Sequence, residues 1–160
     1  MPVKNLERKS EKKVARYSIS AIMLMISGEN MKKHLTVKQK HRYTNEKNLM
    51  FEGHVNLVKK GSSLCMEYVE KDGVASVNIV ADDEGLRIER KGEVISNLHF
   101  QMNEKTCGSV LSEFGTIDLE IYTYKYIRKD NIIALEYDIL SGGEVTDGYR
   151  ILWILKEDQA

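Results

Sequence analysis

The sequence predicts an all-β protein, a single antiparallel meander β-barrel that follows a short N-terminal extension. Three observations support this. From Met31 onward, clusters of turn-forming residues recur at short intervals, with β-branched and aromatic runs between them. The only proline is Pro2, so no later strand lacks a backbone N–H for pairing. This region also keeps no helical spacing of apolar residues over three turns.

About nine or ten short strands joined by hairpins are compatible with two architectures, a closed up-and-down barrel and a sandwich. Successive hairpins favour the barrel, because closing the sheet removes the exposed strand edges.

The first element, residues 1–30, differs in composition from the rest of the chain. It contains six basic and three acidic residues, and an apolar run over residues 19–26 follows the basic residues. We expect a dispensable extension in front of a barrel domain at residues 31–160. A short packed helix ranks second. An incomplete secretion signal ranks last, since no small-residue cleavage site follows the run. Eight residues are too few to span a membrane, which takes about 20.

The turns divide the remaining chain into strands. Asp72-Gly73 and Gly142-Gly143 are the strongest signals, because type I′ hairpin turns require positive φ at both central residues. The turn clusters are "TNEKN" (44–48), "KKGSS" (59–63), "EKDGV" (70–74), "DDEG" (82–85), "RKGE" (90–93), "NEKT" (103–106), "RKDN" (128–131) and "SGGE" (141–144).

Between the turns, large apolar side chains occupy alternate positions, as expected for strands with one buried face. The last strand, "GYRILWILK", is apolar on both faces. The alternating sets are Leu49, Phe51, Val55 and Leu57; Leu64, Met66 and Tyr68; Leu86 and Ile88; Val94, Leu98 and Phe100; and Ile133, Leu135, Tyr137 and Ile139.

The stretch "GTIDLEIYTYKYIRKD", residues 115–130, changes phase near its middle. Apolar residues alternate up to Ile121, and then Tyr122, Tyr124 and Tyr126 occupy the other set of positions. A β-bulge near Ile121-Tyr122 would shift the later side chains by one and keep the tyrosines in the core.

An unshifted register would instead point polar residues into the barrel, which is wide enough to hold one small ligand. Tyrosine and tryptophan suit the wall of such a pocket, since each combines an apolar ring with one polar group. Arg90 or Lys125 would hold an anionic group. The predicted ligand-binding residues are Gln39, Tyr43, Tyr68, Arg90, Thr123, Lys125, Tyr137 and Trp153.

A third interpretation of the phase change places the three tyrosines on the outer face. Tyrosine is enriched at protein interfaces, and three residues at alternate positions would form one patch. This arrangement predicts a protein partner or a homodimer.

Three segments carry a resemblance to a known family: "MFEGHVNLVKKGSSLCMEYVE", "SEFGTIDLEIYTYKY" and "IALEYDILSGGEV". They resemble the YwiB-like family of small bacterial proteins, a domain of unknown function. The likeness covers roughly residues 33–156 and implies a calycin-like or lipocalin-like barrel, with no catalytic residues to carry over. The matching positions are Phe51-Glu52-Gly53, residues 65–70 in loose form, Phe114-Gly115 with Ile117 and Leu119, and Tyr137-Asp138-Ile139.

Few residues suggest a catalytic, metal-binding or nucleic-acid-binding site. Lys and Arg number 24, as do Asp and Glu, and the excess on residues 31–160 is acidic, so the composition argues against nucleic acid as a partner. The four histidines lack the spacing of a metal site. Cys65 and Cys107 form no C-x-x-C pair, and we expect two buried, unpaired thiols in a reducing cytoplasm.

The sequence therefore favours a non-enzymatic, cytoplasmic binding protein without cofactor or metal. The leading hypothesis is a small, partly apolar ligand in the barrel interior. The alternative is a protein-interaction module that uses an exposed tyrosine stripe on the barrel exterior.

Overall fold

The computed structural model describes residues 29–157, which form ten strands and no helix. The first strand starts at Glu29, just ahead of the predicted domain start at Met31; the predicted extension lies almost wholly outside the described residues. The strands are β1 (Glu29–His41), β2 (Lys47–Lys60), β3 (Ser63–Val69), β4 (Ser76–Ala81), β5 (Gly85–Lys91), β6 (Ile95–Gln101), β7 (Lys105–Ser112), β8 (Gly115–Lys129), β9 (Ile132–Ser141) and β10 (Glu144–Glu157).

Each strand pairs antiparallel with the next, and β10 returns to pair with β1, which closes the barrel. The predicted meander barrel is thus confirmed, and the sandwich alternative is excluded for the described part of the chain. The closing ladder runs from the Lys33–Glu157 pair to the His41–Tyr149 pair. This long ladder forms because β1 and β10 both continue for 13 or more residues without a break.

The inward side chains fill the barrel. Trp153, Phe100 and Leu35 are among the largest fully buried residues, and the alternation read from the sequence produces this core. The inward set also contains Val37, Val55, Leu57, Leu64, Met66, Tyr68, Val77, Ile79, Ala81, Leu86, Ile88, Ile121, Tyr126, Ile133, Leu135, Tyr137, Ile151 and Leu155.

The barrel wall has two seams where neighbouring strands pair only briefly. β2 and β3 share four residue pairs, and β6 and β7 share three. In the first seam, the Phe51 ring packs 5.0 Å from the Tyr68 ring, centroid to centroid. Gly53 provides the room, because a Cβ there would lie 3.2 Å from Cζ of Phe51. The β1–β2 register shifts between Val37 and Lys38, two pairs away from Gly53.

The two predicted tight turns differ. Gly142 and Gly143 both have positive φ, 59° and 83°, and they form the two-residue link from β9 to β10 that the sequence predicted. The prediction for Asp72-Gly73 is wrong, because residues 70–75 form a longer loop. There the Asp72 carboxylate accepts hydrogen bonds from the backbone N–H groups of Val74 and Ala75, which an Asx turn explains.

Candidate functional site

Asp138 is a buried carboxylate on the outer face of the barrel. It alternates along β9 with Tyr137, whose ring is in the core, yet only 1% of Asp138 is exposed. Three side chains cover it and donate hydrogen bonds. Arg42 Nη1 lies 2.5 Å and Tyr43 Oη 2.9 Å from Asp138 Oδ1, while Tyr124 Oη lies 2.7 Å from Oδ2. We call these four residues the Asp138 cluster.

The chain after β1 brings Arg42 and Tyr43 to this carboxylate. The backbone N–H of Arg42 donates to the Gly148 carbonyl at 2.9 Å and extends the ladder with β10 by one step. The His41 ring nitrogen Nδ1 then accepts from the N–H groups of Tyr43 and Thr44, each at 3.2 Å. These bonds turn the chain over the outer surface of β9 and β10.

Gly148 creates the space that the cluster occupies. It pairs with Asp138 across the β9–β10 ladder. A Cβ on Gly148 would lie 2.4 Å from Asp138 Oδ1 and 2.8 Å from Cε2 of Tyr43. Both distances are too short for a non-bonded contact, so only glycine fits here while the cluster is formed.

A β-bulge brings Tyr124 to the cluster. The β8–β9 register shifts between Thr123 and Lys125, so that Ile121 and Thr123 point inward and Tyr126 points inward again after the bulge. The predicted bulge is therefore present but lies beyond Ile121-Tyr122. The three tyrosines do not share one face of the strand, as the sequence interpretations had expected.

Charge is balanced within and around the cluster. Arg42 Nε lies 3.1 Å from Glu136 Oε1, and Arg150 Nη2 lies 3.3 Å from Glu136 Oε2. Partial burial lowers the pKa of Arg42, but hydrogen bonding to Asp138 and the charge of that carboxylate turn the net shift upward. Arg42 therefore remains a cation beside two carboxylates.

The tyrosines are held as neutral donors. Their hydrogen bonds to Asp138 raise the pKa of both Tyr43 and Tyr124, since ionisation would place a phenolate against a carboxylate. The Arg42 guanidinium lies 4.4 Å from the Tyr124 ring centroid and 5.6 Å from that of Tyr43, within the range of cation–π attraction.

The cluster presents aromatic surface to solvent in a fixed geometry. Tyr43 is 56% and Tyr124 is 45% exposed. The Tyr122 ring packs edge-on against Tyr124 at 4.8 Å and extends this surface along β8.

Three of the predicted ligand-binding residues lie in the core. Tyr68 Oη accepts a hydrogen bond from Trp153 Nε1 at 3.1 Å, and the Tyr137 ring packs 4.6 Å from Phe100. Burial raises the pKa of Tyr68 and of Tyr137. Thus these polar rings are part of a packed interior.

Thr123 is the predicted residue with the most unusual environment. It is completely buried, and its hydroxyl oxygen has no hydrogen-bond partner within residues 29–157. Its backbone groups are paired with the β6–β7 loop, where Asn103 N–H donates to the Thr123 carbonyl at 2.8 Å. The side chain is therefore held inside beside the β6–β7 seam.

Gln39 and Arg90 lie towards the end of the barrel where β1 ends. Arg90 forms a two-point ion pair with Glu70, with distances of 2.8 and 2.9 Å. Gln39 lines two open clefts of about 570 and 440 Å³, and Glu70 lines the second. The Glu70 carboxylate therefore already accepts hydrogen bonds from the guanidinium groups with which Arg90 would bind an anionic ligand.

Two predicted ligand-binding residues do not face the interior. Lys125 is exposed on the outer surface, because the bulge at Tyr124 reverses the expected orientation. Tyr43 follows the end of β1 and belongs to the Asp138 cluster, so its side chain does not continue the inward face of that strand. The expected inward orientation is wrong for both residues because the chain departs from a regular strand at each of them.

Sequence reasoning missed Arg42, Asp138 and Gly148. Alternation marked Asp138 as a solvent-facing residue of β9, and only the folded chain shows what covers it. One signal was available: Gly148 interrupts a long strand, and glycine there often marks the close approach of another group.

The thiols and the potential metal ligands add no site. Cys65 and Cys107 are both free thiols, but Cys65 is only partly buried and Cys107 is exposed, so the prediction of two buried thiols is wrong. Burial raises the pKa of Cys65 and makes it less reactive. Within residues 29–157, no three His, Cys, Asp or Glu side chains converge as metal ligands, and no helix has the length and apolar character to cross a bilayer.

Comparison with known proteins identifies the family. The sequence profile described as Domain of unknown function (DUF1934) matches residues 33–152, three quarters of the chain. The chain belongs to this family. The ywiB protein from Bacillus subtilis has a similar crystal structure, with a TM-score of 0.68 at 15% identity over 84% of this chain and 98% of that one. No curated protein matches the chain significantly.

The family match confirms the resemblance read from the strand and turn motifs. This DUF1934 member shares the barrel fold of the ywiB protein, and the family description gives no activity.

Proposed function

We propose that this DUF1934 protein is a non-enzymatic interaction module that binds a protein partner through the Asp138 cluster and Tyr122. One observation supports the proposal: two half-exposed tyrosine rings and an arginine are fixed around a buried carboxylate. Tyrosine and arginine dominate the energetics of protein interfaces. Groups that are already immobilised lose little entropy on binding.

The filled interior supports this choice over the leading sequence hypothesis. Trp153 and Phe100 are almost completely buried among aliphatic side chains, so a ligand of drug-like size would have to displace packed residues. The outer cluster needs no such rearrangement.

Site-specific photo-crosslinking in the producing cells tests the proposal. A photoreactive phenylalanine analogue replaces Tyr122, whose side chain touches Tyr124 but forms no bond to Asp138. The matched control places it at Asn78, an exposed residue on the opposite wall in β4. We expect a discrete protein adduct from position 122 alone, and its loss when Tyr124→Ala is added.

The same adducts from both positions, or none from position 122, would refute the proposed surface. An adduct with twice the mass of the chain would identify a homodimer. In that case the Tyr124→Glu variant should be a monomer by light scattering, because the substitution places a charge in the interface.

A second candidate function, the interior ligand, has one observation in its favour. The buried Thr123 hydroxyl has no hydrogen-bond partner among residues 29–157, and a polar group of a small ligand would satisfy it. Native mass spectrometry of gently purified protein tests this. The hypothesis predicts an adduct that vanishes on denaturation and is absent from Thr123→Val; a bare mass for the wild type would contradict it.

A further inference from the structure

An apolar patch covers the outer face of β8, β9 and β10, towards the end of the barrel where β1 begins. Its members alternate with core residues and are neighbours across the strands: Ile127 pairs with Ala134, which pairs with Leu152, while Ile132 pairs with Ile154. Ile127 is 36% and Ile132 is 41% exposed. We call these five residues the outer apolar patch.

The outer apolar patch differs from isolated apolar residues on a surface. Five neighbouring side chains on three strands form one continuous area, and such areas usually contact another group. This explains why the last strand is apolar on both faces: its inward residues fill the core and its outward residues form the patch. Three exposed lysines border it, Lys38, Lys129 and Lys156.

The N-terminal segment joins the barrel beside this patch. β1 begins at Glu29, and its first pair with β10 is Lys33 with Glu157. Farther along the same ladder, Thr36 pairs with Ile154 and Lys38 pairs with Leu152. The chain therefore enters at the end of the barrel nearer the patch, on the strand adjacent to it.

The length of the apolar run matches the position of the patch. A strand rises about 3.3 Å per residue, so Thr36 lies about 23 Å along β1 from Glu29. Ser27-Gly28 can reverse the chain, since glycine allows the conformations of tight turns. Seven extended residues before Gly28 cover the same distance and reach Ala21, within the uncharged run of residues 19–26.

We propose that residues 19–26 pack on the outer apolar patch and cover it. The segment is apolar, has no charge to desolvate and is tethered next to the patch. Tethering gives an effective concentration in the millimolar range, so modest apolar contact is enough for binding. The outer apolar patch would thus bind a segment of its own chain. This proposal does not depend on the function proposed for the Asp138 cluster.

Disulfide trapping in the full chain tests the proposal. Cys65→Ser and Cys107→Ser remove the native thiols, and Ala21→Cys is combined with Ile154→Cys, because Ile154 pairs with Thr36 and so lies at the level that Ala21 reaches. The control combines Ala21→Cys with Asn78→Cys, because β4 lies across the barrel from β9. Intact mass first verifies that residues 1–28 are present.

We expect the 21–154 disulfide to form within one chain about ten times faster than the 21–78 disulfide, as tethering next to the patch requires. Adding Leu152→Asp should reduce the 21–154 rate to near the control while the circular dichroism spectrum stays that of a barrel. Equal rates for the two pairs would overturn the proposal.

Two other occupants of the patch give different results, and either would overturn the proposal. Disulfide-linked dimers whose yield rises with protein concentration would show that a second copy covers the patch. Sedimentation with phosphatidylglycerol vesicles, with no 21–154 disulfide in their absence, would show that the patch and the run bind a lipid surface.

Discussion

Thr123 has a fully hydrogen-bonded backbone but a buried hydroxyl group with no hydrogen bond in the described chain. Its parity puts it in the core, and its backbone is held by the β6–β7 loop, while its hydroxyl lacks a partner in the described chain. A buried hydroxyl without a hydrogen bond costs about 1–3 kcal/mol.

Thr123→Val should therefore stabilise the protein, because valine has the same shape and no polar group. We expect the free energy of unfolding to rise by about 1 kcal/mol, measured by urea denaturation followed by Trp153 fluorescence. The control is Thr116→Val, at an exposed position, with a change within about 0.5 kcal/mol. Destabilisation by Thr123→Val alone would show that the hydroxyl has a favourable role.

Gly148→Ala should have the opposite effect. The added Cβ would overlap Asp138 Oδ1, so either the cluster or the β9–β10 ladder must shift. We expect a loss of about 2 kcal/mol or more in the same urea assay. Gly53→Ala is the matched control, with a smaller loss, since its Cβ would meet only the end of the Phe51 ring. Similar losses for the two variants would contradict the assigned role of Gly148.

Strand β8 contributes tyrosines both to the core and to the outer surface because it contains a β-bulge. A strict alternation would have placed either all of its tyrosines or none of them inside. The shift between Thr123 and Lys125 instead leaves Thr123 and Tyr126 inside and Tyr124 outside. One inserted residue thus creates the Asp138 cluster without breaking the core.

The β9–β10 hairpin depends on its two glycines. Gly142 and Gly143 both adopt positive φ, which residues with a Cβ rarely do. Replacing both by alanine should lower the free energy of unfolding by about 2 kcal/mol, whereas Asn-Gly at these positions should leave it nearly unchanged. Thermal unfolding of the two variants measures the difference, and equal melting temperatures would argue against the type I′ turn.

The whole barrel keeps several tyrosines protonated in its interior. Burial raises the pKa of Tyr126 to about 12, and it raises the pKa of Tyr68 and Tyr137 as well. In the unfolded chain a tyrosine ionises near pH 10. The folded state therefore binds these protons more tightly than the unfolded state does.

Stability should consequently be lost at alkaline pH. The pKa of Tyr126 is higher in the folded state than in the unfolded state. Its contribution to the free energy of unfolding is therefore fully present below about pH 10 and falls as the pH rises towards 12. Urea unfolding over this range, with tyrosinate absorbance recorded in parallel, checks the prediction. Tyr126→Phe should make the decline shallower, and an unchanged slope would exclude Tyr126 as a contributor.

The sequence by itself determined the all-β class, a strand count of nine or ten and most of the core. These features depend on local signals: alternation marks the buried face, and glycine pairs such as Gly142-Gly143 specify a turn conformation. Sequential hairpins then leave few ways to arrange the strands. The family motifs added the same information, because they too mark strands and turns.

Only the tertiary structure decided where the functional candidates lie. Arg42, Tyr124 and Asp138 are far apart in sequence, and their meeting depends on a bulge, a turn after β1 and the space at Gly148. Likewise, the outer apolar patch joins one residue of β8 with two residues each of β9 and β10. Alternation gives the side of the sheet on which a residue lies, but the register and the covering side chains follow from packing the whole barrel.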